Sequence, residues 1–238
     1  MRNLLVLNYA KVQRLLYLVL GAPGSGRRAI VQDLIEGGLT EEESALSLTN
    51  EKFPDGEGLT KWRWENGSFQ IPENTDDTQP SHQFLIFSPY LDLADQIEAS
   101  LDLLDSDDGL TLARILFVVH CGLLSETSPQ LQEWHDACAH FADVVLLNRR
   151  ERVNNKKIKA FKEHYESMRL PFLVESVRKN RIANPAKILD PISRRISHAL
   201  DPEVDVDSDL PDPYLECLST GERAKRIPLP FGEPPKTK

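Results

Sequence analysis

The feature that most constrains the fold is an apolar run followed by a glycine-rich turn and a segment with helical spacing. Leu15–Leu20 is continuously apolar, which is typical of a strand buried on both faces of a parallel sheet. The turn Gly21–Arg28 contains three glycines. Beyond the turn, apolar side chains recur at helical spacing at Ile30, Val31, Leu34 and Ile35. This order predicts a buried strand, a tight turn and a helix.

Similar apolar runs recur along the chain and alternate with amphipathic segments. The strand candidates are Phe84–Phe87, Ile115–Val119, Val144–Leu147 and Phe172–Val174. The helix candidates are Leu91–Leu104, Pro129–Ala142 and Asn154–Met168. Each crossover helix must bury its apolar stripe against the sheet, so the alternation predicts a mostly parallel sheet with helices on both faces. We therefore expect the fold class to be α/β, a three-layer sandwich.

Composition divides the chain into a folded domain and a tail. Residues 1–200 are expected to form one domain, in which residues 40–80 are an irregular insertion with one short hairpin around Trp62–Phe69. Asn184-Pro185 indicates the start of a last helix. Residues 201–238 are acidic and hold seven of the chain's 16 prolines, so we expect this tail to be disordered. Order there would require several apolar side chains to dock on the domain, namely Tyr214, Leu215, Leu218 and Phe231.

The net charge and the cysteines limit the classes of function. A net charge of −9 argues against a general affinity for nucleic acid. The three cysteines are odd in number and widely spaced, which favours reduced thiols in a cytosolic protein over a disulfide framework. No stretch approaches the roughly 20 apolar residues of a membrane span. We therefore expect a cytoplasmic protein without membrane contact, and the oligomeric state stays open.

The glycine-rich turn has the spacing of a phosphate-binding loop. Its glycines let backbone N–H groups turn toward phosphate oxygens, and the next helix adds its positive end. Such a loop ordinarily continues with a Lys for the outer phosphates and a Ser or Thr for Mg²⁺, but Arg27 and Arg28 stand there. Arg28 offers a metal no lone pair, so Mg²⁺ is not expected in the usual geometry. The candidate phosphate-binding residues are Gly21, Gly24, Ser25, Gly26, Arg27 and Arg28.

With these elements placed, residues 15–198 resemble the CobW/HypB/UreG group of P-loop GTPases. That group favours the spacing Gly-x-x-Gly-x-Gly, and its next strand ends in Asn-Glu, as Leu48–Glu51 does. Ala142–Glu151 parallels the group's guanine-recognition segment, Ala-Asp-x-x-x-Leu-Asn-Lys-x-Asp. The resemblance implies a P-loop NTPase-like fold and GTP or GDP as a possible ligand. It also implies that Asn148 packs the loop, that Arg149 stacks on the base in place of the family's Lys, and that Glu151 stands where an Asp accepts hydrogen bonds from guanine.

The chain departs from this family at the positions that carry chemistry. Gly67–Ile71 stands where CobW proteins have a Gly-Cys-x-Cys-Cys metal motif, and it contains no cysteine. Phe87 replaces an acid, His120 replaces an Asp, and Glu151 is one methylene longer than the Asp that binds guanine. We expect neither catalytic residues nor a bound metal, because the apolar strands persist while these groups are replaced.

The resemblance and its departures lead to three hypotheses. The first is a pseudo-GTPase that does not hydrolyse nucleotide and acts by binding a protein partner, for example an active paralogue. The second is a divergent nucleotide-binding protein or GTPase in which Arg27 replaces the usual Lys. The third is a nucleotide sensor without turnover. A titration with GTP, GDP and ATP separates them.

A basic cluster and a set of His and Cys residues each have two interpretations. The cluster, Arg149–Lys162, is either a solvated helix face or a contact for an acidic partner, for RNA or for the chain's own acidic segment Asp201–Asp212. The last of these is the functional interpretation we favour. His135 and Cys138 share a helix face, but packing in the core is favoured over a metal site. The remaining members of the set are His120, His140 and Cys121.

Overall fold

The fold is organised around a sheet of seven parallel strands. The computed structural model describes residues 14–54, 58–72, 79–126, 128–151, 153–200 and 211–232. The strands, in chain order, are β1 Arg14–Gly21, β2 Ala45–Thr49, β3 Leu59–Lys61, β4 Arg63–Glu65, β5 Ser68–Gln70, β6 His82–Ile86, β7 Leu110–His120, β8 Val144–Asn148 and β9 Leu173–Ser176. The sheet has the order β3-β2-β6-β1-β7-β8-β9, so β1 is its central strand and all seven carboxyl ends lie at one edge.

Helices cover both faces of this sheet. They are α1 Arg27–Gly38, α2 Leu93–Asp105, α3 Pro129–Phe141, α4 Asn155–Ser167 and α5 Pro185–Leu189, with a 3-10 helix at Cys121–Ser125. Alternate residues of β1 point to opposite faces: Leu18 packs in the core with α2, α3 and α4, and Val19 packs with α1 and α5. The expected α/β three-layer sandwich is therefore confirmed.

The expectation of an irregular insertion at residues 40–80 is wrong for two segments. β2 and β3 join the main sheet, where β2 pairs in parallel with both β6 and β3. The apolar pattern missed β2 because Ser47 and Thr49 are buried polar residues within this short strand. The expected hairpin is present as β4 and β5, which are joined by Asn66 and Gly67 at φ 53° and 77°, a backbone that Asn-Gly adopts readily.

The last helix starts as expected but is short. The Asn184 side chain accepts a hydrogen bond from the Lys187 N–H at 3.2 Å, and Pro185 occupies the first turn. The helix ends at Leu189 instead of continuing toward Leu200. Pro191 accounts for this end, since proline lacks the N–H that a further turn needs and disfavours helical backbone in the residue before it.

Residues 211–232, which we call the C-terminal strap, pack on the domain. Tyr214 and Ile227 are buried in the core on the α2–α4 side of the sheet, and Phe231 meets Trp134 edge-on with ring centroids 5.0 Å apart. The strap is therefore ordered, whereas the tail was expected to be disordered unless its apolar side chains docked on the domain. Tyr214, Leu215 and Phe231 do dock there. Leu218 stays exposed. Residues 201–210 and 233–238 lie outside the described residues.

Two further observations concern the helices and the thiols. Among the helices that the structure describes, none combines the length and the apolar character needed to cross a membrane. Cys121 and Cys138 are buried free thiols and Cys217 is an exposed one. Burial raises the pKa of the Cys121 thiol to about 11, so this group is protonated at neutral pH.

Candidate functional site

The loop between β1 and α1 has a backbone that only glycine tolerates at two of its positions. Gly26 has φ 90° and precedes α1, and a Cβ there would lie 2.7 Å from Asn148 Nδ2. A Cβ on Gly21 would lie 2.5 Å from the carbonyl oxygen of Val118. Gly26 caps α1 without a side-chain hydrogen bond, so the cap leaves the first-turn N–H groups available. The predicted phosphate-loop geometry therefore has its structural counterpart at the carboxyl end of the central strand.

Arg27 is directed into the protein. Its guanidinium is buried, donates a hydrogen bond of 2.6 Å to the Phe87 carbonyl oxygen and forms an ion pair with Glu51. Burial lowers the pKa of Arg27, and the neighbouring Glu51 carboxylate opposes that shift. Phe87 follows β6 and Glu51 follows β2, so Arg27 ties the ends of two strands to the start of α1. The Arg27 guanidinium is therefore engaged by groups of the protein itself.

Glu51 also holds the second arginine. Arg28 Nε lies 3.3 Å from Glu51 Oε2, while Arg27 pairs with Oε1 of the same carboxylate. A guanidinium therefore occupies the position at which a P-loop needs a metal-binding hydroxyl, and it brings positive charge in place of a ligand. The hydroxyl of Ser25 is buried and has no hydrogen-bond partner among the described residues. Mg²⁺ does not fit this set of donors in the usual P-loop geometry.

Asn148 and Arg149 tie the loop after β8 to the phosphate loop. Asn148 Nδ2 donates to the carbonyl oxygen of Ser25 at 2.8 Å and to Asn180 Oδ1 at 2.9 Å. Arg149 adopts φ 53° and donates from Nε to the carbonyl oxygen of Gly24 at 3.3 Å. Asn148 thus packs the phosphate loop, the role that the family resemblance implies for it.

The loop after β9 is a part of the site that sequence reasoning missed. Arg178 and Arg181 exchange two backbone hydrogen bonds of 3.0 and 2.9 Å, and the residues between them have φ values of 52° and 59°. Asp33 of α1 anchors the turn by accepting from Ile182 N at 2.7 Å and from Arg181 at 3.0 Å. The residues between the arginines are Lys179 and Asn180. Asn is enriched in left-handed turns, so Asn180 was the available signal.

The loops after β1 and β8 border one cleft of about 590 Å³, and the loop after β9 contacts the site through Asn180, which accepts from Asn148. Its volume lies within the usual range of ligand pockets. The predicted residues Gly24, Gly26, Arg27, Arg28 and Arg149 line this cleft. Its other lining residues are Ala29, Gln32, Glu51 and Leu59. Gly21, Ser25 and Asn148 are buried beneath it, while Glu151 is exposed and not among its lining residues.

Two positions at which this chain departs from the family's chemical motifs serve packing instead. Phe69 lies in the segment that corresponds to the family's cysteine motif. Its ring packs edge-on against Trp62 and Trp64, with ring centroids 5.0 and 5.1 Å apart, respectively. The Phe87 ring is also buried, and its centroid lies 5.7 Å from the centroid of the Phe69 ring. Within the described residues, no three His, Cys, Asp or Glu side chains are grouped so that they could hold a metal ion.

Comparisons with known proteins find similarity to solved structures alone. No family model matches the chain. No curated protein matches it. The Zn(II)-bound YjiA GTPase from E. coli superposes with a TM-score of 0.46 and 13% identity, covering 76% of this chain and 66% of that one. A Zn(II)-bound triple mutant of YjiA gives a TM-score of 0.45 and 12% identity, covering 77% and 66%. The chain thus spans slightly less than two thirds of each matched protein.

Proposed function

We propose that this chain is a P-loop GTPase-like protein that does not hydrolyse nucleotide and that acts in the cytoplasm by binding a protein partner. The observation that carries the proposal is the engagement of both loop arginines by one carboxylate, that of Glu51. These arginines occupy the two positions on which P-loop hydrolysis depends. An active paralogue is one kind of partner that the proposal includes.

Two physical arguments support the absence of hydrolysis. The P-loop Lys acts by reaching the outer phosphates, but the buried guanidinium of Arg27 is bonded to Phe87 and Glu51 and would leave both to do so. Releasing a buried ion pair costs several kcal/mol, on the order of 3–5. Mg²⁺ neutralises charge that develops on the phosphates, and Arg28 has no lone pair with which to bind it.

Nucleotide sensing without turnover is a second candidate, favoured by the cleft itself. The uncapped start of α1 and the Arg149 side chain border a volume of about 590 Å³, which suits an anionic ligand. In contrast, nothing in the geometry favours a divergent GTPase that uses Arg27 on phosphate, because that side chain is buried and paired.

A calorimetric titration with GTP, GDP and ATP, each with Mg²⁺ and with a chelator, tests the proposal. We expect that Mg²⁺ does not strengthen binding of any nucleotide, since Arg28 stands where a P-loop has its metal-binding hydroxyl. Affinity that rises about tenfold or more with Mg²⁺ would overturn the proposed loss of the metal site; this corresponds to about 1.4 kcal/mol. Tight, metal-independent binding without turnover would establish the sensor instead.

A further inference from the structure

We propose that the carboxyl edge of the sheet binds an acidic segment of a partner protein. The surface consists of six cationic side chains, which we call the basic edge: Arg28, Arg149, Lys156, Lys157, Arg178 and Lys179. This inference rests on the proposed function, since it gives the chemistry of the protein partner and the surface that the partner contacts.

Positive charge is concentrated on the loops that follow β1, β8 and β9. Across residues 22–28, 149–154 and 177–184, the described residues include one acid, Glu151. The same stretches contain seven described cationic residues: Arg27, Arg28, Arg149, Arg150, Arg178, Lys179 and Arg181. The whole chain carries a net charge of −9, so this edge differs in sign from the molecule as a whole. Such a local field steers and orients an acidic partner.

The loops form one surface because they are bonded to each other. Asn148 bonds to Ser25 of the first loop and to Asn180 of the third, and Arg149 bonds to Gly24. A Cβ built on Gly26 lies 3.0 Å from Asn180 Oδ1 and 3.3 Å from an Arg149 guanidinium nitrogen. Arg149 and the Arg178–Arg181 turn are therefore immediate neighbours at the start of α1.

The backbone presents these cations in fixed directions. Arg149 and Lys179 both adopt left-handed φ angles, 53° and 52°, which are uncommon outside glycine and asparagine. Asp33 anchors the turn that carries Lys179. Arg149, Arg178 and Lys179 are exposed. Because the turn that carries Arg178 and Lys179 is anchored, its backbone does not have to be ordered when carboxylates bind, which lowers the entropy cost of binding.

The basic edge extends beyond the cleft along the start of α4. Lys156 and Lys157 are exposed in the first turn of this helix, which begins after the β8 loop. A site for a single nucleotide would not need charge this far from the cleft. A chain of spaced carboxylates can follow the row from Arg178 to Lys157, because an extended segment advances about 3.3 Å per residue.

The absence of exposed aromatic side chains among the described residues favours a protein partner over nucleic acid. Single-stranded nucleic acid is held by aromatic stacking in addition to charge. In the part of the chain that the structure describes, the large exposed apolar residues are Met168, Ile192, Ile196, Leu218 and Leu229, and none is aromatic.

Asp212, the described acid of the chain's own acidic segment Asp201–Asp212, does not lie at the basic edge. Asp212 accepts from the Tyr214 N–H and pairs with His140 at 2.8 Å. His140 is near the end of α3, three residues before the Asp143 that precedes β8, and so at the opposite edge of the sheet. The expected docking of Asp201–Asp212 on the basic cluster is therefore wrong for Asp212, and the other acids of that segment lie outside the described residues.

Fluorescence anisotropy with a labelled 12-residue Glu/Ser/Gly peptide that carries six Glu residues tests the proposal on the full chain. The control peptide has Gln at those six positions. We expect the Glu peptide alone to bind, with affinity that falls at least about fivefold between 50 and 300 mM salt because the charges are screened. No binding of the Glu peptide at 50 mM salt overturns the proposal.

Matched variants locate the binding surface. Lys179→Asn combined with Arg178→Gln should weaken binding of the peptide about fivefold or more. Arg169→Asn is the control, because Arg169 is also an exposed cation with left-handed φ, at 56°, and it follows the C-terminal end of α4. The double variant removes two charges and the control removes one, so a loss of binding free energy in the double variant no more than about twice that in Arg169→Asn would mean that binding follows net charge alone, and would overturn the assignment to the basic edge.

Two further measurements distinguish an acidic protein partner from the other possible occupants, RNA and the chain's own acidic segment. Nucleotide hydrolysis tests the proposed function separately. Tighter binding of a 12-nucleotide single-stranded RNA than of the peptide, with the same sensitivity to the double variant, overturns the choice of an acidic protein. The second measurement uses a variant that neutralises five acids, Asp201, Glu203, Asp205, Asp207 and Asp209. If this variant binds the peptide more strongly, the chain's own segment occupies the basic edge, and the proposal of a separate partner is overturned. Nucleotide hydrolysis would contradict the proposed function whether or not the peptide binds. Failure of the proposed function can therefore be distinguished from failure of the binding proposal.

Discussion

At the scale of single residues, the carboxylate of Glu51 determines what the phosphate loop can do. It lies two residues beyond β2 and reaches both Arg27 and Arg28. The Arg27 side chain is almost completely buried, so its charge depends on this partner for compensation. The same contact engages the guanidinium at the wall of the cleft, so it is not available to a bound phosphate.

Replacement of Glu51 by Gln should therefore destabilise the fold strongly. We expect Glu51→Gln to lower the free energy of unfolding by about 3 kcal/mol, because it leaves a buried guanidinium without its counter-ion. Urea denaturation measures this loss. Glu163→Gln is the matched control, since it removes an exposed ion pair with Lys159 and should cost less than about 0.5 kcal/mol. Equal effects of the two substitutions would show that Glu51 does not hold Arg27 in solution.

His135 provides a second test at a single residue. Its ring is buried among Phe117, Trp134 and Phe161, and burial lowers its pKa from 6.5 to about 4 against the opposing effect of Asp136. Between these pKa values the unfolded chain binds a proton that the folded chain excludes. The contribution to stability is thus complete above about pH 6.5 and falls as the pH drops toward 4.

The prediction for His135 is a difference between two pH profiles. On going from pH 7 to pH 5, the wild type should lose about 2 kcal/mol more of its unfolding free energy than His135→Phe, which has no proton to bind. Denaturant titrations at a series of pH values measure both proteins. Parallel profiles would mean that the histidine is protonated in the folded state.

At the scale of elements, the C-terminal strap depends on a few polar anchors. Arg223 bonds to Glu98 through both terminal nitrogens at 2.5 Å and to Asp95 at 2.8 Å, so it ties the strap to α2. Hydrogen bonds with Glu98 are the main cause that raises the pKa of Arg223. The strap's internal bonds include the Ala224 N–H to the Glu216 carbonyl oxygen at 2.9 Å.

Loss of the Arg223 anchor should loosen the strap and leave the sheet unchanged. In Arg223→Gln we expect the amides of residues 211–232 to exchange about fivefold faster, because the partly exposed acids make this network worth only about 1 kcal/mol. Hydrogen exchange with mass spectrometry resolves the strap from β1 and β7. Arg226→Gln, which removes an exposed pair with Glu222, should leave exchange unchanged. Faster exchange throughout the sheet would instead make the strap part of the cooperative core.

Sequence patterns predicted the elements that bury continuous apolar runs. The strands that became β1, β6, β7, β8 and β9 were identified in this way, and so was the helix α4. The apolar pattern missed β2 and β3 because a short strand near the sheet edge contains Ser, Thr and Lys, which produce no apolar run. The family resemblance at Leu48–Glu51 indicated the end of β2. The strap was missed because its order depends on Arg223 and Tyr214, and their partners lie more than 70 residues away in the sequence.

At the scale of the whole molecule, the position of the cleft followed from topology while its chemistry did not. The carboxyl ends of parallel strands meet at one edge, so the phosphate loop and Asn148 were expected to be neighbours. Two features required coordinates: the direction of the Arg27 side chain toward Glu51, and the turn at Lys179 and Asn180. Side-chain direction and left-handed backbone leave only weak traces in a single sequence.

The central claim is that this chain does not hydrolyse nucleotide, and phosphate release from GTP and ATP tests it most directly. We predict that the full chain with Mg²⁺ releases phosphate no faster than buffer alone. Gly24→Val serves as the control for contaminating enzymes, because Gly24 lines the cleft with φ 71°, where a β-branched side chain strains the phosphate loop. Mg²⁺-dependent release that is proportional to protein concentration and is lost in Gly24→Val would contradict the account.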